Sequence, residues 1–379
     1  MRSAGSPGTY RIVHITTAHR ATDNRIMRKE CLALARAGFD VTLLAVADEN
    51  TVVDGVAIHA LPRHSGRVAR ILLGPLDVWR VLRVLKPDLI HVHDPELIPL
   101  AAVWNVPGHR RAVYDAHEDL PLQIHGKHYI PRRLRGLVSR LARLLEVLAD
   151  RRMSGIVAAT PRIAKNFKND HVATVQNFPW LHDFPTPKGP DARAAMTLGY
   201  VGGVAPERGL AEMLQVVNSA QPAPQLLIAG PVSAAAQDML DANTGELVEY
   251  LGVLPASEIA GVLARTGVGL VTLHPVPNYL ESQPTKLFEY MAAARPFIAS
   301  DFPSWRELLD GIDCGVFVDP FDSDAYRRAV EAMLADPSAA AAMGRRGREA
   351  LEGGRFTFEK EADQLVAMTR ELLDDGRHN

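Results

Sequence analysis

Phe178-Pro179-Trp-Leu-His-Asp-Phe184-Pro185-Thr-Pro187-Lys-Gly-Pro190-Asp191 interrupts a pattern that runs through the rest of the chain. Its four prolines and one glycine leave no helical or strand periodicity, so the stretch 179–191 reads as a linker. Before it, short Val/Ile-rich runs alternate with longer amphipathic segments. Strands are expected at Tyr10–Thr16, Asp40–Val46, Val56–Ala60, Asp88–Val92, Arg111–Asp115, Gly155–Ala159 and Val172–Gln176. These runs show little polar alternation, as strands covered on both faces require. A helix is expected over Asn24–Ala37, stopped by Gly38. After the linker the alternation restarts, with strands at Met196–Val201, Gln225–Ala229, Leu247–Leu251, Val268–Leu273, Pro296–Ser300 and Gly315–Val318. The fold class is therefore α/β, with two doubly wound, Rossmann-like domains at 1–178 and 192–355 and a cleft expected between them. A last helical segment, Phe358–Leu373, lies within 356–379 and precedes a polar tail.

Composition agrees with two globular domains. The 379 residues, 47% hydrophobic and 23% charged, exclude a disordered chain and supply enough apolar material for two cores. The net charge of -2 gives no global reason to expect a nucleic-acid partner. Two distant cysteines, Cys31 and Cys314, exclude a disulfide framework and a cysteine-rich zinc site, so a reducing, cytoplasmic setting is expected. No apolar run is long enough to span a bilayer, and Met1–Tyr10 lacks the apolar region of a secretory signal.

The most informative chemistry lies in Asn278-Tyr-Leu-Glu281-Ser-Gln-Pro284-Thr285-Lys286-Leu287-Phe-Glu289-Tyr-Met. Two glutamates flank seven residues. Pro284 suits the first position of a helix, where no N–H is needed. The N–H groups of Thr285, Lys286 and Leu287 would then open the helix, and such a terminus attracts phosphate through its donors and its dipole. Glu289, deeper in the helix, suits a ribose diol. The same spacing also fits a surface helix with two solvated glutamates.

A second segment is Gly199-Tyr-Val-Gly202-Gly203-Val-Ala-Pro-Glu-Arg208-Gly209. It joins a strand to a helix, its glycines admit close approach of a bound group, and Arg208 can pair with a diphosphate. It does not match Gly-x-Gly-x-x-Gly, and the P-loop pattern occurs nowhere in the chain.

Together these segments resemble the retaining glycosyltransferases of family 4, which have the GT-B fold. The resemblance runs from His14 and Asp23-Asn-Arg25-Ile to Phe317. It includes His91-Val-His93-Asp94-Pro-Glu96, Tyr114-Asp-Ala-His117-Glu118-Asp, Ile228-Ala-Gly230 and Gly252-Val-Leu254. It implies transfer of a hexosyl unit from a nucleoside diphosphate sugar, UDP- or GDP-linked, with retention at the anomeric carbon and no cofactor or metal. Glycan or polysaccharide, glycolipid and secondary-metabolite assembly are the processes it suggests. It implies that the second domain binds the donor and the first the acceptor, with the final helix crossing back to the first. Glu289 would bind the ribose, and Glu281 and His117 the transferred sugar. Gly203, Arg208, Thr285, Lys286 and Leu287 would hold the diphosphate, and Gly252 and Leu254 the base. Asp23, Arg25, His93, Asp94 and Glu118 would face the acceptor. Where many members carry Arg, this chain has Gly202 or Gly203, and where they carry Glu-Gly-Phe-Gly it has Glu281-Ser-Gln-Pro284. Two alternatives remain: a nucleotide-sugar epimerase of the same fold, and a relative that binds without catalysis.

Other features have structural readings. His91, His93 and Asp94 could ligate a metal, but hydrogen bonding at the sheet end accounts for them better. Asp322-Ser-Asp324 reads as a helix N-cap. Lys127–Arg152 carries eight cationic residues against Glu146 and Asp150, with leucines at helical spacing. It reads either as a packed helix with a solvated basic face or as a docking face, over 131–148, for anionic lipid at the inner face of a membrane. The second reading would suit a lipid-linked acceptor; a carbohydrate or small-molecule acceptor needs no such surface.

Overall fold

The computed structural model describes residues 10–105, 110–126, 130–185, 192–280 and 282–374. The chain divides into two compact units, 1–177 with 358–379, and 178–357.

The first unit is built on an eight-stranded sheet. Its strands are β1 (Arg11–Arg20), β2 (Asp40–Val46), β3 (Thr51–Val53), β4 (Val56–Leu61), β5 (Leu89–Val92), β6 (Arg111–Ala116), β7 (Gly155–Ala158) and β8 (Val172–Thr174). The spatial order is β3-β4-β2-β1-β5-β6-β7-β8, parallel except for β3 against β4. Strand alternation assigns its two faces. Val13, Ile15, Ile90, Val92, Tyr114 and Ala116 join one apolar core with Val78 and Leu82 of the Arg67–Leu85 helix and Ala149 of the Arg132–Arg152 helix. The intervening residues His14, His91 and Asp115 point to the opposite face. The expected Asn24–Ala37 helix forms as a π-helical segment, Ile26–Cys31, followed by an α-helix, Leu32–Arg36, with Gly38 at φ +95° beyond its end. The Phe358–Asp374 helix packs on this unit, and its Leu372 carbonyl accepts from Arg111 Nε at 3.0 Å.

The second unit has a wholly parallel six-stranded sheet: β9 (Thr197–Val201), β10 (Gln225–Ala229), β11 (Val248–Tyr250), β12 (Val268–Val271), β13 (Phe297–Ser300) and β14 (Gly315–Val318). The order β11-β10-β9-β12-β13-β14 places β9 at the centre, where the winding reverses. Phe178 and Phe184, read from sequence as lying at or within the linker, are buried in this unit's core, Phe178 against Phe288 and Phe356. The prolines break periodicity there without preventing burial of the aromatics between them. Residues 186–191 lie outside the described residues. Asp322 caps the Ser323–Ala335 helix, accepting from Ala325 N–H at 2.8 Å.

Candidate active site

In the second unit the Gly-rich turn after β9 is stitched to the turn after β10. Gly202 N–H donates to Ala229 at 2.7 Å and Val204 N–H to Pro231 at 2.8 Å. A Cβ on Gly230 would come within 2.1 Å of the Gly202 carbonyl, so the two backbones approach as only glycine permits. The Thr285–Ala292 helix buries Leu287, Phe288 and Met291 in the core. Lys286, also buried, turns instead toward Gly202, whose Cβ would meet Lys286 Cε at 2.5 Å. Gly202 thus supplies the room that the lysine fills.

Lys286 Nζ donates to the Tyr200 hydroxyl at 3.0 Å and lies 4.2 Å from that ring's centroid. The hydroxyl in turn donates to the Gly203 carbonyl at 2.6 Å. Arg208 shares Tyr200 as a partner and lies 5.7 Å from the Tyr279 ring centroid. Burial, and then the Arg208 charge, bring the Lys286 ammonium down to about 7, against an opposing pull from Glu289. Burial pushes the Tyr200 phenol up to about 12. Among the described residues neither cation forms an ion pair with a carboxylate. Two cations resting on phenols and π faces beside a helix N-terminus are chemically suited to an anion.

Sequence-predicted residues fall around this centre. Thr285 and Lys286 open the helix, while Pro284 stands before it as N-cap, one position earlier than expected, with ψ 121°. Leu287 N–H is taken by the Pro284 carbonyl at 3.2 Å and its side chain is fully buried, so its part is packing rather than donation. Glu289 is half-buried. Gly252, at φ +74°, accepts from Gly230 N–H at 2.8 Å, and the half-buried Leu254 packs against the core. Glu281 lies outside the described residues. Tyr200, which links both cations, was missed, although it sits inside the Gly-rich segment.

In the first unit the carboxyl ends of β1, β5 and β6 converge on a second polar centre. Asp115 accepts from Arg25 at 2.8 and 3.0 Å and lies 3.0 Å from His93 Nδ1 and 2.8 Å from His117 Nε2. His93 Nε2 lies 2.9 Å from His14 Nδ1. Burial opposes ionisation of Asp115, but Arg25 and His117 hold it well below the usual range. Burial, aided by Asp115, pushes Glu30 well up. Burial also lowers His14, His91 and His93, so those imidazoles are neutral. Glu30, His91, His93 and Asp115 offer ligand atoms within 4.8 Å of one another, a set that could surround a cation. Arg25 already supplies positive charge there, 3.0 Å from Glu30 as well as bound to Asp115.

Of the residues expected to face an acceptor, Arg25, His93 and Asp94 are 6%, 3% and 2% exposed. They are turned to protein partners, so they support a surface rather than forming one. Asp94 accepts from Thr16 Oγ1 at 2.9 Å and from the N–H groups of Thr17 and Ala18 at 2.5 and 3.1 Å. Asp23 caps the start of the π-helical segment through Arg25 and Ile26 N–H and pairs with His19 at 3.3 Å. Although burial opposes it, these bonds hold the Asp23 carboxyl at about 2. His117 is half-buried and Glu118 exposed, on the loop after β6.

The two α/β units are those of a GT-B protein, as known proteins show. Residues 24–177 match the model for Glycosyltransferase Family 4, and residues 195–336 that for Glycosyl transferases group 1. The chain belongs to the glycosyltransferases through both of its halves. It is 28% identical over 192 residues to a D-inositol 3-phosphate glycosyltransferase of Segniliparus rotundus, covering 47% of this chain and 40% of that protein. It is 28% identical over 140 residues to a lipopolysaccharide core biosynthesis mannosyltransferase of Rhizobium leguminosarum bv. viciae, covering 37% of this chain and 38% of that one. The matched region thus spans about two fifths of these curated relatives. Among solved structures, sucrose-phosphate synthase from Thermosynechococcus elongatus superposes with TM-score 0.74 at 17% identity, covering 96% of this chain and 99% of that one. HepE of Anabaena, solved with UDP-glucose, does so with TM-score 0.70 at 14% identity, covering 96% and 100%. At these identities the structural likeness shows the fold alone.

Proposed function

We propose that the chain is a retaining hexosyltransferase that uses a nucleoside diphosphate sugar, in glycan, glycolipid or secondary-metabolite glycoside assembly. The observation that carries this is the Lys286–Tyr200–Arg208 cluster against the Gly202–Gly203 turn. Its two cations, Lys286 buried and Arg208 half-buried, have no carboxylate ion pair among the described residues, and a diphosphate supplies what they lack. In this reading Glu289 binds the ribose, Gly252 and Leu254 border the base, and Gly203 and the Thr285 N–H approach the phosphates. Glu281 and His117 bond hydroxyls of the transferred sugar. The acceptor hydroxyl attacks the anomeric carbon as the bond to the β-phosphate oxygen breaks, and its proton passes to that leaving oxygen. The second unit holds the donor and the first receives the acceptor. UDP and GDP sugars are the first donors to try, and the neighbour solved with UDP-glucose supports that order.

The decisive experiment is a thermal-shift panel of nucleoside diphosphates and their sugars on the parent and Glu289→Ala proteins. Stabilisation by one nucleotide series that is lost in the variant is the expected result. No stabilisation by any member overturns the reading. Donor turnover without acceptor would favour an epimerase. Donor binding without release of nucleoside diphosphate, whatever the acceptor, would favour a binding protein.

Among the described residues no helix is long and apolar enough to cross a membrane. The Arg132–Arg152 helix is nevertheless suited to lie on one. Leu134, Leu137, Leu141 and Leu144 are 43%, 57%, 53% and 63% exposed, beside exposed Arg133, Arg140 and Arg143. An apolar stripe with a basic rim suits the interface of an anionic bilayer. Co-sedimentation with anionic vesicles, abolished by Arg132, Arg133, Arg135 and Arg140 to Ser, is expected. No sedimentation of the parent would remove membrane contact from the proposal.

A further inference from the structure

The first unit has a cavity of about 380 Å³ that no predicted residue lines. It lies beyond the carboxyl ends of β1, β2 and β4, where ligands of parallel sheets bind. Its walls are the Thr17–Arg20 end of β1, Val46, the Leu61–His64 segment and the first turns of the Arg67–Leu85 helix. Arg20, Arg63, Arg67 and Arg70 all line it, with Asp77 as the one lining carboxylate. Asp77 already serves His64 at 2.9 Å and Arg80 at 2.7 Å. Arg70 is braced against the wall by Glu96, with Nε 3.0 Å from Oε1.

The placement of these arginines runs against helix electrostatics. The Arg67–Leu85 helix is 19 residues long, and Gly66, its N-cap at φ +87°, provides no side-chain acceptor. The first turn contains no acidic residue and begins with Arg67. Arginines at this end oppose the helix dipole. An anion in the cavity would reverse that sign, meeting guanidinium forks and the helix end together.

We propose that this cavity anchors the acceptor and takes a phosphate group that the acceptor carries. The proposal rests on the glycosyl-transfer reading and adds the acceptor's chemical class. A cavity of this size accommodates a sugar-sized phosphate. Arg20, Arg63 and Arg67 are exposed at its rim, so replacing them leaves the core untouched. A soluble metabolite and a lipid headgroup would present the same phosphate chemistry to the same guanidinium groups.

The test is calorimetric titration of the full chain with a hexose 6-phosphate, the parent hexose and UDP or GDP, on the parent protein, Arg63→Ser/Arg67→Ser and Lys286→Met. The phosphate ester is expected to bind at least about tenfold more tightly than the hexose, and to lose at least about tenfold in the double arginine variant. The nucleotide should bind that variant as it binds the parent and fail on Lys286→Met. Sedimentation with neutral vesicles doped with a polyprenyl phosphate forms the second arm, and arginine-dependent capture there alone would assign the phosphate to a lipid. If neither phosphate source binds in an arginine-dependent way while the nucleotide does, this proposal falls and the donor reading stands. If the phosphate binds through the arginines while no nucleotide binds, the cavity remains an anion site and its assignment to an acceptor falls.

Discussion

The two sheets end in polar centres of opposite electrical character. In the first unit, Asp115 is answered by Arg25 and two histidines, Arg25 also lies beside Glu30, whose carboxyl burial pushes well up, and burial lowers the remaining imidazoles. Charge there is closed within the fold. In the second unit, Lys286 and Arg208 rest on phenols and glycine backbone with no carboxylate ion pair among the described residues. Charge there is left open. A closed centre contributes rigidity beneath a half-buried group such as His117, whereas an open one stores affinity for an anion.

The largest effect is expected at Asp115. Asp115→Asn removes the bidentate partner of buried Arg25, leaving it only Glu30 and the Val175 carbonyl, and should cost about 3–5 kcal/mol in denaturant unfolding. A loss under about 1 kcal/mol would mean that the centre is not closed by that pair. At the open centre Lys286→Met should do the reverse, raising the melting temperature of the empty protein while nucleotide affinity falls by about 2–4 kcal/mol in calorimetry. A lower melting temperature with affinity intact would show that the lysine is structural.

A pH series sharpens the same contrast. With the Lys286 ammonium at about 7 in the empty protein, the unfolded chain binds the extra proton between there and the ordinary lysine value. Stability of the empty protein should therefore rise with pH through that window. Nucleotide affinity should fall through it, by up to about tenfold per pH unit, because a bound diphosphate needs the charged lysine. Lys286→Met should flatten both curves. The smallest effect is expected for Tyr200→Phe. Removing the hydroxyl that accepts from Lys286 and donates to Gly203 should cost about 1 kcal/mol in stability and weaken nucleotide binding several-fold.

Much of this could be read along the chain. Asp40–Val46 and Gln225–Ala229 form as strands with the expected bounds, because buried parallel strands write themselves as largely apolar runs, and the half-buried edge strand Gly315–Val318 does so through its Val-Phe-Val. Strand β3 was missed. Its hairpin signal, Asp54-Gly55, with both residues at positive φ, is present in the sequence, but Thr51–Val53 is too short and exposed to carry a hydrophobic pattern. The helix start at Thr285 was legible because Pro284, Thr285 and Lys286 are consecutive, and local sequence fixes where such a helix begins.

The acceptor side was not legible in the same way. Arg25, His93 and Asp94 look like surface groups in a one-dimensional reading, and Glu30 and Tyr200 look like nothing in particular. Burial decides their parts, and burial follows from which strand lies beside which. His14 meets His91 only because β1 and β5 are neighbours in that register, although 77 positions separate them in the sequence. The four arginines of the cavity come from the ends of two strands and the start of a helix, and no spacing rule joins Arg20 to Arg63. The sequence by itself determined the α/β class, the two halves and the helix start at Thr285, since each depends on periodicity or on residues within a turn of one another. Only the tertiary structure decided which charges meet an opposite charge within the fold and which do not, because that depends on distances between segments that the chain brings together by folding.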